Sequence, residues 1–140
     1  MKHIHFEEKN VEATLENMII HGMDIIVLNV YVAPYAALSD TLHLLSKALC
    51  NIHSNQTIAI VGDFNINMLE SNNKTNKLIS YMYNYNLHFL LDTTNNQQIS
   101  IIDHIWSNIT CSYKTSRLDT YWIDHDTIFL IIEDRNATKT

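Results

Sequence analysis

Thr57-Ile58-Ala59-Ile60-Val61-Gly62-Asp63-Phe64-Asn65 is the stretch from which the fold is read. Its first five residues are nearly all apolar, as expected of a short strand buried on both faces. The run stops at Gly62, and a carboxylate and an amide follow, so a polar pair stands where a buried strand ends. Asp63 and Asn65 are two residues apart; if the strand conformation persists, both side chains project from one face. The plainer alternative is an Asx-type turn closing the strand.

Upstream, Val11 to Ile20 and Ile25 to Val32 read as two extended runs, the second rich in β-branched residues. His21-Gly22-Met23-Asp24 between them predicts a hairpin turn. Ala33-Pro34 ends the second run, because proline removes a ladder donor and biases the preceding residue to extended geometry. Ser39 or Asp40 is placed to cap a helix on which Leu42, Leu45, Leu49 and Ile52 recur at helical spacing. Downstream, a second amphipathic helix is expected from about Lys74 to Asn86, with Leu78, Met82 and Tyr85 on one stripe and its tyrosines in core and rim packing. Three further extended runs follow: Leu87 to Leu91, Ile99 to Trp106, and Thr127 to Glu133. Strands partly alternate with helices and partly adjoin, which predicts an α/β fold with mixed β-sheets and flanking helices.

At 140 residues, with 46% apolar and 17% charged, the chain has room for one folded core and shows no internal linker or repeat. No apolar run reaches the ~18 residues needed to span a bilayer. Met1 is followed by His3, His5, Glu7 and Glu8, which is no secretory signal, so a soluble intracellular chain is expected. Cys50 and Cys111 fit reduced, buried thiols better than a disulfide framework. A net charge of -6 argues against broad electrostatic binding of nucleic acid but suits carboxylates gathered around a cation. The four Asn-x-Ser/Thr sequons at Asn55, Asn73, Asn108 and Asn136 read as chance in a chain rich in Asn and Thr. His3 and His5 would share one side of an extended strand, but solvated terminal residues are the plainer reading.

Three polar clusters interrupt or follow apolar strands: Asp63 with Asn65, Asp103 with His104, and Asp124 with His125 and Asp126. Asp103 falls in a run of isoleucines, where an unpaired carboxylate would be costly, so a partner such as histidine is expected. Together the clusters resemble the motifs of the endonuclease/exonuclease/phosphatase superfamily. Gly62-Asp63-Phe64-Asn65 matches its Gly-Asp-hydrophobic-Asn motif. Ser100-Ile101-Ile102-Asp103-His104-Ile105-Trp106 looks like its Ser-x-Ile-Asp-His-Ile strand, and Ile123-Asp124-His125 like its terminal Ser-Asp-His. Asn29-Val30-Tyr31-Val32-Ala33-Pro34 resembles the Tyr-x-x-Pro segment upstream. Each is weak alone, but the four in this order are a strong signal. The likeness spans residues 11–135 and is most similar to the endonuclease domains of non-long-terminal-repeat retrotransposons and Helitron-type elements.

The resemblance implies the C-terminal part of a four-layered α/β sandwich, with the N-terminal part missing. It implies that Asp63 orients or deprotonates the attacking water and that Asn65 positions it. His125 would donate a hydrogen bond to a phosphate oxygen, Asp103 would hold the imidazole of His125, and Tyr31 would contact the phosphate or assist the leaving group. Asp124 would help hold a divalent cation, Mg2+ or Mn2+. DNA is the implied substrate, hence a nuclear location, and the remainder of the domain or other parts of a mobile-element polyprotein are the implied partners. Plainer readings stand beside these: Asp103 with His125 as a buried structural pair, Tyr31 as strand packing, and His104 and Asp126 as structural or solvated neighbours.

Two departures qualify the likeness. The family's early Asn and its metal-binding Glu have no counterpart, since Glu7, Glu8, Glu12 and Glu16 do not fall in the expected strand-end context, and Ile123 replaces the Ser before Asp-His. Without the first strands, an apolar sheet face would be uncovered. The function classes left open are a metal-dependent phosphodiesterase, a catalytically inactive remnant or interaction module, and a phosphomonoesterase of the same superfamily.

Overall fold

The first strand of the fold is written as a period-two pattern in His3-Ile4-His5-Phe6-Glu7-Glu8, where more and less exposed residues alternate. In the computed structural model, residues 3–20, 22–53, 55–90, 101–109, 113–118 and 127–132 are described. Strand β1 (His3–Glu8) pairs antiparallel with β2 (Val11–Ile20) through a turn at Lys9 and Asn10, where Asn10 takes a left-handed φ of 63°. Strand β2 pairs antiparallel with β3 (Met23–Val32), and Gly22 between them has φ 74°, a conformation glycine adopts without strain. Both runs expected there are confirmed, and β1 extends the sheet beyond them.

Helix α1 (Leu38–Leu49) carries the chain back so that β4 (Thr57–Asp63) lies parallel to β3. Its N-cap is Ala37, without a side-chain cap bond, rather than Ser39 or Asp40, which lie inside the first turn. The buried stripe is Thr41, Leu44, Leu45, Ala48 and Leu49; Leu42 and Ile52 are only partly buried at its flank. Helix α2 (Asn73–Asn84) starts at Asn72, whose side chain accepts the Thr75 N–H at 2.9 Å. It buries Thr75, Leu78 and Met82, whereas Tyr85 is the exposed C-cap. Of its tyrosines, Tyr81 bridges the two helices through a 2.7 Å bond to the Ser46 hydroxyl, and Tyr83 points to solvent.

Strand β5 is reduced to His88–Phe89, and β6 (Asp103–Ser107) inserts between β5 and β4. The sheet order is β1-β2-β3-β4-β6-β5, with β3·β4 its one parallel pair among the described residues. A second, two-stranded sheet pairs β7 (Tyr113–Leu118) with β8 (Thr127–Ile132). Strand β7 had no counterpart among the expected runs.

Both helices pack on one sheet face, where Leu28, Val30, Ile58, Ile60 and Trp106 meet Leu44, Leu45, Leu78 and Met82 in one core. On the other face the expected uncovered apolar surface is not found at the central strands, where Ile25, Ala59 and Ile105 are all buried. Cys50 is exposed at the end of α1, not buried, and its thiol donates to the Lys47 carbonyl; Cys111 lies outside the described residues. No helix among the described residues is long and apolar enough to cross a membrane. The sequon at Asn108 is committed to structure, since its amide accepts from the Ile58 N–H and donates to the Gln56 carbonyl, both at 2.8 Å.

Candidate active site

Strand register brings together residues that stand far apart in the sequence, from Tyr31 to Asp103. Tyr31 pairs with Asp63 across β3 and β4, and Asp63 pairs with Asp103 across β4 and β6. Direct partners share a sheet face, so one row of the face away from the helices reads Tyr31, Asp63, Asp103. The row continues outward, for Tyr31 pairs with Glu12 and Glu12 with Glu7. Neighbouring strands stand ~4.8 Å apart, so the span from Tyr31 to Asp103 is roughly 10 Å of backbone. Glu12, the second residue of β2, thus stands in the same row as the predicted site residues.

Gly62 shows why the motif begins with glycine. Its φ is 140°, and a Cβ there would lie 1.9 Å from the Val30 carbonyl oxygen. Any side chain would force β4 away from β3 and break the Tyr31·Asp63 register.

Beyond Asp63 the chain turns sharply. The Asn65 N–H donates to Asp63 Oδ1 at 3.0 Å, which realises the Asx-type turn, and Asn65 takes a left-handed φ of 50°. The Asn65 side-chain amide donates to the Val32 carbonyl, tying the turn to the end of β3. Phe64 is fully buried while Asp63 and Asn65 remain partly exposed, so the turn is anchored by its aromatic and presents its polar pair.

A second set of contacts ties the turn to the chain entering β6. Phe64 N–H donates to the Ile102 carbonyl and Met68 N–H to the Ile101 carbonyl, each at 2.9 Å. Asn67 Oδ1 accepts from the N–H groups of Ile101 and Leu69. His104, fully buried, donates from Nε2 to the Ile66 carbonyl at 2.7 Å and accepts the Trp106 indole N–H at Nδ1, 3.1 Å away. These bonds fix its neutral tautomer. Its ring stacks on Phe64 with centroids 4.6 Å apart. Burial, opposed only in part by backbone acceptors, lowers its pKa to about 4. His104 is thus a structural neighbour of the site, and it locks the turn to β6.

Asp103 was expected inside a strand, yet β6 begins with it and it is partly exposed. Tyr31, in β3, is 48% exposed. With Glu7, Glu12, Pro34 and Tyr35 it lines a shallow cleft of about 330 Å³. Asp124, His125 and Asp126 lie outside the described residues, so of the predicted site the structure assembles Tyr31, Asp63, Asn65 and Asp103. Two carboxylates, an amide and a phenol are oxygen donors of the kind a hard divalent cation takes.

No protein-family model and no curated protein sequence matches the chain. Solved structures do. The endonuclease domain of TRAS1, a telomere-specific non-LTR retrotransposon, superposes with a TM-score of 0.67 at 15% identity, over 88% of this chain and 62% of that one. An endonuclease/exonuclease/phosphatase family protein from Leptotrichia buccalis gives 0.64 at 15% identity, covering 88% and 53%. A mannosyl-6-phosphatase from Bacteroides thetaiotaomicron gives 0.51 at 13% identity, covering 87% and 57%. The chain thus has the mixed-sheet fold of these proteins and spans between 53% and 62% of their lengths.

Proposed function

We propose that the chain, which shares its fold with endonuclease/exonuclease/phosphatase proteins, is the part of a phosphodiesterase that carries its Tyr31, Asp63, Asn65 and Asp103, with DNA as substrate. The observation that carries this reading is the strand register that sets Tyr31, Asp63 and Asp103 in one row beside an open cleft. The likeness to a retrotransposon endonuclease domain supports DNA over other phosphate esters.

In this reading Asp63 accepts a proton from the attacking water or orients it, and the Asx turn holds its carboxylate at the strand end. Asn65 keeps the turn closed against β3 through its amide nitrogen, leaving its carbonyl oxygen for the water. Tyr31 offers its exposed hydroxyl to a phosphate oxygen or the leaving group. By the resemblance, His125 would donate to a non-bridging oxygen with Asp103 orienting its ring, and Asp124 would help hold the cation. A bound magnesium or manganese ion would neutralise charge gathering on the phosphate oxygens. A DNA substrate would place the protein in the nucleus.

The test is nicking of supercoiled plasmid in magnesium by the 140-residue chain, beside an Asp63→Ala control and a version joined to the N-terminal portion of a related domain. Nicking that disappears in the control supports the reading; nicking indifferent to Asp63→Ala defeats it. Activity only in the joined version would mark the chain as half of a site, inactive by itself. A phosphomonoesterase is the second reading, favoured by the likeness to a mannosyl phosphatase, and predicts release of phosphate from sugar phosphates without nicking.

A further inference from the structure

The outer end of the same row carries a second group of ligating side chains. His5, Glu7 and Glu12 each offer one donor atom, and the three atoms lie within 4.8 Å of one another. His5 and Glu7 are two apart on β1, and Glu12 is the direct cross-strand partner of Glu7 on β2. Period two and register therefore place all three on one face of the β1–β2 hairpin. A polar contact accounts for part of this, since His5 Nε2 stands 3.0 Å from a Glu7 carboxylate oxygen. It does not account for Glu12. Two carboxylates on directly opposed residues repel, and among the described residues no hydrogen bond or ion pair reaches the Glu12 carboxylate.

The imidazole is also oriented from behind. His5 Nδ1 lies 3.5 Å from the Thr14 hydroxyl, on the residue paired with it across β2. Histidines that bind metals commonly give their other ring nitrogen to such an oxygen, which fixes the tautomer and aims the free nitrogen. Here the nitrogen so aimed is Nε2, toward the two carboxylates. On the reverse face Glu8 is held by Lys47 of α1 at 2.6 Å, and Lys47 also donates to the Glu7 carbonyl, so the strand is fixed.

We infer that His5, Glu7 and Glu12 bind a first-row transition dication of the zinc class, with water completing its coordination. One imidazole nitrogen and two carboxylate oxygens suit zinc, whereas magnesium prefers oxygen ligands alone. The site borders the cleft that Tyr31 lines, and it stands independently of the phosphodiesterase reading.

The experiment is titration of the metal-free, tag-free chain with Zn2+ by calorimetry, with melting followed in parallel. One zinc ion per chain and a raised melting temperature are expected, with a hundredfold excess of Mg2+ failing to displace it. Glu12→Gln should bind zinc roughly tenfold or more weakly, yet melt about 1–2 °C higher than the parent without metal because the carboxylate repulsion is gone. This shift separates loss of a ligand from loss of fold. His5→Ala should lose zinc as well, and Asp63→Ala, two strands away, should keep it. Absence of zinc binding, binding undiminished in Glu12→Gln and His5→Ala, or loss of zinc in Asp63→Ala would overturn the inference. Failure of plasmid nicking would leave it standing.

Discussion

The centre and the edge of one sheet row are held by different means. At the centre, Asp63 and Asp103 are backed by buried Phe64, His104 and Trp106, by a glycine in contact with the next strand, and by hydrogen bonds from the turn to the chain entering β6. At the edge, His5, Glu7 and Glu12 are exposed, and strand pairing with one lysine anchor is what places them. Packing from behind fixes a group within a fraction of an ångström, whereas pairing alone fixes its face and register. The centre should therefore lose stability when its support is changed, and the edge should lose ligand binding without unfolding.

The largest effect should come from Gly62→Ala, because the new methyl collides with the Val30 carbonyl in a backbone conformation that alanine avoids. A loss of more than about 3 kcal/mol is expected in urea denaturation, or failure to fold. A loss below about 1 kcal/mol would show that β3 and β4 can separate, and the contrast between centre and edge would then fail.

His104 supplies an intermediate effect with a pH signature. Its folded pKa, about 4, lies below the ordinary value of 6.5. The unfolded chain therefore binds more protons between these values, and stability rises with pH in that window. Its contribution is complete above about pH 6.5 and is lost as pH falls toward 4, a swing of up to roughly 3 kcal/mol. His104→Gln should be less stable at pH 7 by about 1–3 kcal/mol and show a flatter dependence between pH 4 and 6.5. An unchanged slope in urea titrations across that range would remove His104 as its source.

Tyr31→Phe should have the smallest effect on stability, within about 0.5 kcal/mol, since the ring is half exposed and its packing is kept. If the chain nicks DNA, the same change should slow nicking by about tenfold or more through loss of the hydroxyl. A large stability loss with unchanged nicking would return Tyr31 to a packing role.

The strand Thr57–Asp63 and the turn after it were legible because both signals are local: a short apolar run and the Gly-Asp-Phe-Asn punctuation. The two helices were legible from spacing, but their edges were not. Tyr85 fits the helical stripe of Leu78 and Met82, yet the helix ends before it and leaves it outside. The His3–Glu8 strand was discounted as terminal although its alternation was plain, because only pairing with Val11–Ile20 makes such a segment stable. Tyr113–Leu118 lacks a run of large apolar residues and becomes a strand through its partner at Thr127–Ile132. The same limit applied to the site. The residue types were visible, but that Glu12, Tyr31, Asp63 and Asp103 share a row depends on register between distant strands. His104 gave no local sign of its role because its acceptor, Ile66, lies 38 positions away.

The parallel pairing of β3 with β4 has a consequence for the order in which the row is built. Strands β1, β2 and β3 are successive hairpins whose contacts close over short stretches of chain, and such hairpins form in microseconds. Strand β4 can join only after the whole crossover containing α1 has closed, and β6 only after β4. Glu7, Glu12 and Tyr31 would thus come into register before Asp63 and Asp103. Pulse-labelled hydrogen exchange during refolding should find the amides of β2 protected ahead of those of β6, so that the row would mature from its rim inward.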